Sequence, residues 1–526
     1  MLYNFLLLPA IYLAVSEKME LSGHVTSLPL WSLLSQKGTI IICFVLGSSL
    51  LWLLPSYVRL RHVPGPFLAS LTNLPRLLWV YNNDAGDKHT VLHRKYGPLV
   101  RFGPNMLSVS APSEIGTIYD IHGKFPKSDF YRVLSFYVKG NAIPGLFATQ
   151  DRRIHNLLRR PIAGIYSMTN LMSYEPMIDS TIHCFFEQLD QRFVQTSQVC
   201  ELDVWLQLFA FDVIGSITFS KRLGFLEQGR DIDRIMENSW RYFRVAAVIS
   251  QMPWLDYIWT KNPILQRLRK AKTNPIVAFA SARRKERAIE AEKGSDVIDT
   301  DNEKGVQRLK NKDFLTRFLE VESRDPATPP WAVSAWSTSN ITAGSDTTAI
   351  LLRTIFYNLL KHPHSLAKLR QEIDITPGLD TELVTWTQSL TLPYLGACIK
   401  EAGRVHPPLG LPYERVVPPE GATICGQRIP GGTVVGMSPW ATHRDYDTFG
   451  TDSDLWRPER WIEANESKRR QMENALLTFG AGNRSCIGKH ISFLEISKLL
   501  PSLVRKFDVR LPLLFSFRLA ILKSLE

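Results

Sequence analysis

Near the end of the chain, Phe479-Gly480-Ala481-Gly482-Asn483-Arg484-Ser485-Cys486-Ile487-Gly488 sets one cysteine and one arginine among glycines, behind an aromatic residue. A thiolate that must sit under a flat metal cofactor needs such a loop, because glycine lets the backbone approach a macrocycle without a Cβ clash. Cys486 is therefore the candidate metal ligand. Upstream, Ala343-Gly344-Ser345-Asp346-Thr347-Thr348 places an acid and a hydroxyl inside an apolar helical pattern. A buried carboxylate is costly unless it is satisfied or used. A threonine hydroxyl can bond the carbonyl one turn back, and a neighbouring glycine permits a widened turn, so this stretch can form a polar notch for oxygen and a proton-delivering water.

Two further constellations have the character of a clamp. Glu401 and Arg404 stand three residues apart on one helix face, where a carboxylate and a guanidinium can pair bidentately. Pro458-Glu459-Arg460-Trp461 supplies a second arginine able to reach the same carboxylate.

The elements that must position these residues are mostly helical. The pattern predicts helices over Lys88 to Tyr96, Gln150 to Arg160, Tyr174 to Arg192, Ala280 to Lys293, Pro330 to Lys361, Ser365 to Asp374 and Tyr394 to Val405. Leu99 to Phe102 and Met106 to Val109 alternate like two strands of a small hairpin turned by Gly103-Pro104-Asn105, and Leu409 to Val435 reads as β-rich. Lys124 to Ala148, rich in Phe, Tyr and Gly, reads as a long loop of the kind that lines a pocket. The fold class is mainly α with small peripheral β-sheets.

With 526 residues, 45% of them hydrophobic and 21% charged, the chain can bury a large core. Its net charge of +12 suits an anionic membrane surface or an acidic protein partner, while the dispersed Lys and Arg residues argue against nucleic acid. The six cysteines are widely spaced and form no CxxC pair, which excludes a disulfide framework, a Cys-rich zinc site and a covalently attached c-type haem. Residues 1 to 16 read as either a weak signal or an interfacial segment. The charge-free run Thr39 to Leu54, followed by Arg59 and Arg61, predicts a membrane anchor with the downstream chain in the cytosol. The expected organisation is thus a lumenal or signal-like segment (1–37), a transmembrane anchor (38–55), a Pro/Gly hinge (56–66) and one catalytic domain (67–526).

Taken in succession, the acid-Thr helix, the Glu-x-x-Arg helix, the Pro-Glu-Arg turn and the cysteine loop resemble the cytochrome P-450 haem-thiolate monooxygenases, from roughly Val63 to Leu511. In kind the sequence is similar to membrane-bound fungal enzymes of secondary metabolism, the pisatin demethylase-like group. The resemblance implies haem b as cofactor with Cys486 as its axial thiolate, in a loop shaped by Phe479, Gly482 and Gly488. It places Arg484, His155, Arg159 and Arg415 at the haem propionates, although a tryptophan often stands where this chain has His155. It makes Glu401, Arg404 and Arg460 a buried structural network, and gives Asp346 and Thr347 oxygen and proton delivery. Substrate walls would come from Phe130 to Phe147, Asn340 to Ala343 and Leu409 to Pro412.

The same resemblance implies oxidation of a small hydrophobic substrate such as a terpenoid or polyketide with O2. No Gly-rich βαβ fingerprint is present, so electrons would come from a separate NADPH-cytochrome reductase, at the endoplasmic reticulum membrane. A haem-thiolate isomerase or dehydratase that does not use O2 is the rival reading, against which the Asp346-Thr347 pair argues. Gly403 and Val405 replace the leucines common beside that arginine. Only 40 residues follow Cys486, and the tail PLLFSFRLAILKSLE stands where the resembling enzymes continue into a longer hairpin, so an atypical C-terminal end is expected, as from a truncated gene whose product binds haem without catalysis.

Overall fold

The computed structural model describes residues 57–138, 141–259, 261–262, 264–265, 275–292, 312–379, 381–510 and 519–523. The expected signal-like segment and the anchor run Thr39 to Leu54 lie outside the described residues. The part of the chain from Arg59 onward is one compact unit.

The first strands are β1 (Leu99–Gly103) and β2 (Met106–Val109), an antiparallel pair. They were expected to form a lone hairpin with alternating faces, yet every residue in both is buried. The reason is their place in a larger sheet. Strand β2 pairs in parallel with a strand more than 300 residues away, and the helices Phe67–Leu71 and Ala85–Tyr96 pack on β1. The segment between His62 and Pro66 is held against this layer: Val63 is buried, and the Arg101 amide donates to the Pro64 carbonyl at 2.7 Å.

The stretch expected as a loop from Lys124 to Ala148 contains a short helix, Phe130–Val133, and a two-stranded hairpin, Phe136–Val138 with Asn141–Ile143. Next comes α1 (Arg152–Arg159), whose start is fixed by Asp151: its carboxylate accepts from the Arg153 amide at 2.6 Å and the Ile154 amide at 3.2 Å. Pro161 follows its end.

The core is helical. It comprises α2 (Glu175–Leu189), α3 (Leu202–Phe219), α4 (Ile235–Ile249), the 30-residue α5 (Ala332–Lys361), α6 (Pro393–Val405) and α7 (Lys489–Lys506). Helix α3 packs extensively on α5, and Gly344 makes the approach possible, since a Cβ there would sit 2.9 Å from Ile214 Cδ1. By length and composition α3 could cross a membrane, but it is mostly buried within the protein and carries no evidence of a span. The β-rich stretch supplies β3 (Arg415–Val416) and β4 (Val434–Gly436), which complete a sheet of order β1-β2-β4-β3, and a separate hairpin, Ala422–Ile424 with Gln427–Ile429.

Of the tail expected to be atypical, Leu519–Lys523 forms a strand antiparallel to Phe507–Arg510 and also pairs with Val199–Cys200. Residues 511–518 and 524–526 lie outside the described residues.

Because Asp151 satisfies two amides at the start of α1, Asp151→Ala is expected to lower stability by about 1 kcal/mol. Urea unfolding of the two proteins measures this difference.

Candidate active site

The cysteine loop is a tight turn set on the first turn of α7. The Cys486 amide donates to the Phe479 carbonyl at 2.8 Å, which closes the loop, and the Phe479 ring lies 5.1 Å from that of Phe493 on α7. Gly482 has φ +63°, and a Cβ there would fall 1.9 Å from the Tyr119 carbonyl oxygen, so neither its conformation nor its space admits a side chain. Gly488 has an ordinary φ and ends beside the thiol: a Cβ on it would lie 4.0 Å from Cys486 Sγ.

Cys486 is exposed, yet at a surface deep within the molecule. Burial pushes its thiol up, while hydrogen bonding from the Gly488 and Lys489 amides and the charges of Arg159 and Lys489 act to bring it down. A bound cation would complete that deprotonation, because thiolate ligands lose their proton on metal binding.

Around this loop the fold gathers cations. Arg159, on α1, donates to the Ser485 carbonyl at 2.9 Å and ties that helix to the loop. Arg484 donates to the Thr149 carbonyl at 3.1 Å. Arg415, on β3, donates to the Tyr131 hydroxyl at 3.3 Å and to the Glu414 carbonyl at 2.9 Å. His155 is buried, and among the described residues its Nδ1 has no hydrogen-bond partner.

Lys127 completes the group and was not singled out in the sequence. It is buried, donates to the Phe147 carbonyl and sits 4.0 Å from the Tyr131 ring centroid. A nearby aromatic, Phe125 in Phe125-Pro126-Lys127, was the available signal.

These charges act on one another. Burial, then Arg415 and Arg159, bring the Arg484 guanidinium down to about 10, and burial followed by Arg415 and Arg484 lowers the Lys127 ammonium well below its usual range. His155, desolvated and facing Arg484, Arg159 and Lys127, is lowered to about 3 and stays neutral. Every acceptor described for Arg159, Arg415, Arg484 and Lys127 is a neutral oxygen. Such a cluster is expensive alone, and an anionic ligand would offset that cost. The residues thus fit a flat, dianionic macrocycle whose metal faces Cys486.

Within α5, Ala343 is exposed between half-buried and buried neighbours, and the Thr347 hydroxyl donates to its carbonyl at 2.7 Å, as the sequence suggested. Asp346 does not meet Thr347. Its carboxylate is taken by Gln207 Nε2 at 2.6 Å and the Ser239 hydroxyl at 2.9 Å, from α3 and α4, and burial raises it above the ordinary carboxylate range. Asn340, expected in a substrate wall, is buried, with its amide bonded to the Tyr166 hydroxyl at 2.5 Å and to Thr218 at 3.3 Å.

The clamp behind the loop is fully formed. Glu401 receives Arg404 through both oxygens, at 2.8 and 2.7 Å, Arg460 at 3.1 Å, and also the Trp461 indole at 2.9 Å and the Arg457 amide at 2.9 Å. Its link to the cysteine loop is His443, which the sequence reading missed. His443 Nε2 accepts from the Leu477 amide at 2.7 Å, and Nδ1 donates to the Arg404 carbonyl at 3.1 Å.

Residues 64–514 match the cytochrome P450 family. A cytochrome P450 monooxygenase of Aspergillus terreus is 54% identical over 459 residues, covering 87% of this chain and 92% of the relative. Cytochrome P450 monooxygenase cicH of Emericella nidulans is 50% identical, covering 86% of this chain and 89% of the relative. Cytochrome P450 monooxygenase pkfB of the same organism is 44% identical, over 90% of this chain and 91% of the relative. The chain therefore belongs to the cytochrome P450 family. It is a haem-dependent oxidoreductase of the monooxygenase kind, and the family's haem iron is ligated by a cysteine thiolate.

Two outcomes follow from the geometry. Gly482→Ala is expected to abolish thiolate-ligated haem, read as loss of the far-red-shifted Soret band of the reduced, carbon monoxide-bound protein. His443 is held neutral, lowered by burial to about 3, whereas an unfolded histidine takes its proton near pH 6.5. Between those values the unfolded chain binds more protons, so this group's contribution to stability is complete above about pH 6.5 and is lost as pH falls. His89, His93 and His155 act in the same sense, while Asp212, raised by burial to about 6, and the raised carboxyls of Asp179, Asp256, Asp346, Glu372, Glu414 and Glu495 oppose them. From pH 4 to 6.5 the thermal melting point of His443→Asn should gain less with rising pH than that of the wild type.

Proposed function

We propose that Cys486 is the axial thiolate of haem b, that Arg159, Arg415, Arg484, Lys127 and His155 receive the propionates, and that the enzyme inserts oxygen into a small hydrophobic secondary metabolite. The observation that carries this reading is the cluster of half-buried and buried cations whose acceptors, among the described residues, are neutral oxygens, set around the Cys486 loop. Haem with a thiolate ligand supplies O2 activation and O–O bond cleavage.

The chain's own residues then have separate tasks. The Cys486 loop fixes the thiolate, and its closing hydrogen bond to Phe479 keeps the sulfur in place. Thr347, with its hydroxyl proton directed at the Ala343 carbonyl, presents lone pairs that can accept from a proton-carrying water. Asp346 is the acid that replenishes that proton. Glu401, Arg404 and Arg460 hold the scaffold and take no part in proton movement. Phe147 and Leu409, from two of the segments expected to meet the substrate, are exposed apolar side chains, which supports a hydrophobic substrate.

Electrons come from an NADPH-cytochrome reductase, whose acidic docking face the net charge of +12 favours. The run Thr39 to Leu54 anchors the protein in the endoplasmic reticulum membrane with its catalytic domain in the cytosol.

The decisive measurement is the reduced, carbon monoxide-bound spectrum. Wild-type protein should show the far-red-shifted Soret band of a thiolate-ligated haem, and Cys486→Ser should not; the same band in both proteins would refute the assignment. Thr347→Ala should retain the band but lower product formed per NADPH about 100-fold and release peroxide. Unchanged coupling would favour chemistry that does not use O2. Turnover with NADPH should require added flavoprotein reductase.

A further inference from the structure

Gln207 stands between two charges in the middle of the fold. Its Nε2 donates to Asp346 Oδ1 at 2.6 Å, and its Oε1 accepts from Arg353 Nη2 at 2.6 Å. A guanidinium has no acceptor. The amide oxygen must therefore face Arg353 and the amide nitrogen Asp346, so the orientation of Gln207 is fixed from both ends.

The other contacts reinforce this arrangement. Ser239, on α4, donates to the second Asp346 oxygen at 2.9 Å. Arg353 follows Asp346 by two turns of α5, and its Nε donates to the Asp203 carbonyl at 2.6 Å. Across the amide, the guanidinium and the carboxylate are no more than about 8 Å apart. The remaining charge acting on Asp346 is Asp231, which precedes α4 and repels it; α3 adds Asp203, whose charge acts on Arg353.

We propose that Gln207 is a positioning residue that keeps the Asp346 carboxyl out of ion-pairing reach of Arg353, so that this acid can hold a proton and release it toward Thr347. An arginine in contact with an aspartate lowers its titration by about one to three pH units. With the amide interposed, burial raises the Asp346 carboxyl, and the hydrogen bonds from Ser239 and Gln207 and the more distant Arg353 charge lower it by less. An acid held ionised by a direct partner has no proton to give. The proposal rests on the reading of Asp346 as the proton-handling group.

The test is an infrared titration of the Asp346 carboxyl in full-length, haem-loaded protein, taken as a difference against Asp346→Asn. Gln207→Ala should lower the titration by about one to three pH units and reduce product formed per electron. The double variant Gln207→Ala/Arg353→Gln should restore both, a recovery that a merely structural role for Gln207 would not produce. Gln207→Ser serves the same purpose if the alanine variant folds poorly. An unmoved titration in the single variant, or a double variant that stays as low, would overturn the proposal. If the titration moves as expected but Asp346→Asn leaves coupling intact, the spacer role stands and the proton-handling role of Asp346 falls.

Discussion

A carboxylate without solvent, Glu401, is the point on which the thiolate side of this protein depends. Two arginines, an indole and a backbone amide converge on it. Removing one partner from such a buried set leaves a charge uncompensated, at about 3–5 kcal/mol. The network's reach matters as much as its strength. Arg404 also donates to the carbonyls of His443 and Leu455, and His443 accepts from Leu477, two residues before Phe479. The cysteine loop is thereby registered to a helix with which it shares no sequence neighbourhood.

On the other side of the loop the electrostatics run the opposite way. Where the Glu401 network is balanced, the cluster of Arg159, Arg415, Arg484 and Lys127 is one-signed and desolvated. An anionic ligand bound there would offset the cost of bringing these charges together. The protein's stability is then tied to cofactor occupancy by mass action, since a ligand that binds the folded state alone stabilises that state. Rigidity near the sulfur and dependence on the ligand at the rim are two halves of one arrangement.

The chemistry-bearing motifs were legible because each is local: a loop of glycines around one cysteine, an acid-Thr pair in an apolar helix, and a carboxylate three residues from an arginine. Helix α5 and helix α6 were found within a few residues of their ends for the same reason, a long unbroken period. What the sequence hid were partners brought in by tertiary structure. Lys127, Gln207, Ser239 and His443 carry no motif of their own, and each acts on a residue at least 34 positions away. The direction of Asp346 was hidden too, since helical spacing tells which residues share a face and not which neighbour claims a carboxylate. Strands β1 and β2 misled in another way: the β4 strand beside β2 lies more than 300 residues on, so the local pattern did not disclose that both strands are covered throughout.

Helix α3 has a consequence for how this chain is made. By length and composition it resembles a membrane span, and it is shielded in the finished protein largely by α5, which begins more than 100 residues later. At ordinary rates of translation that interval lasts roughly 5 to 20 seconds. Throughout it, a nascent chain carries a segment that the translocation machinery could mistake for a span. Arg353, on α5, later bonds the backbone of Asp203 and the side chain of Gln207, so the late partner also supplies polar contacts to the first turns of α3.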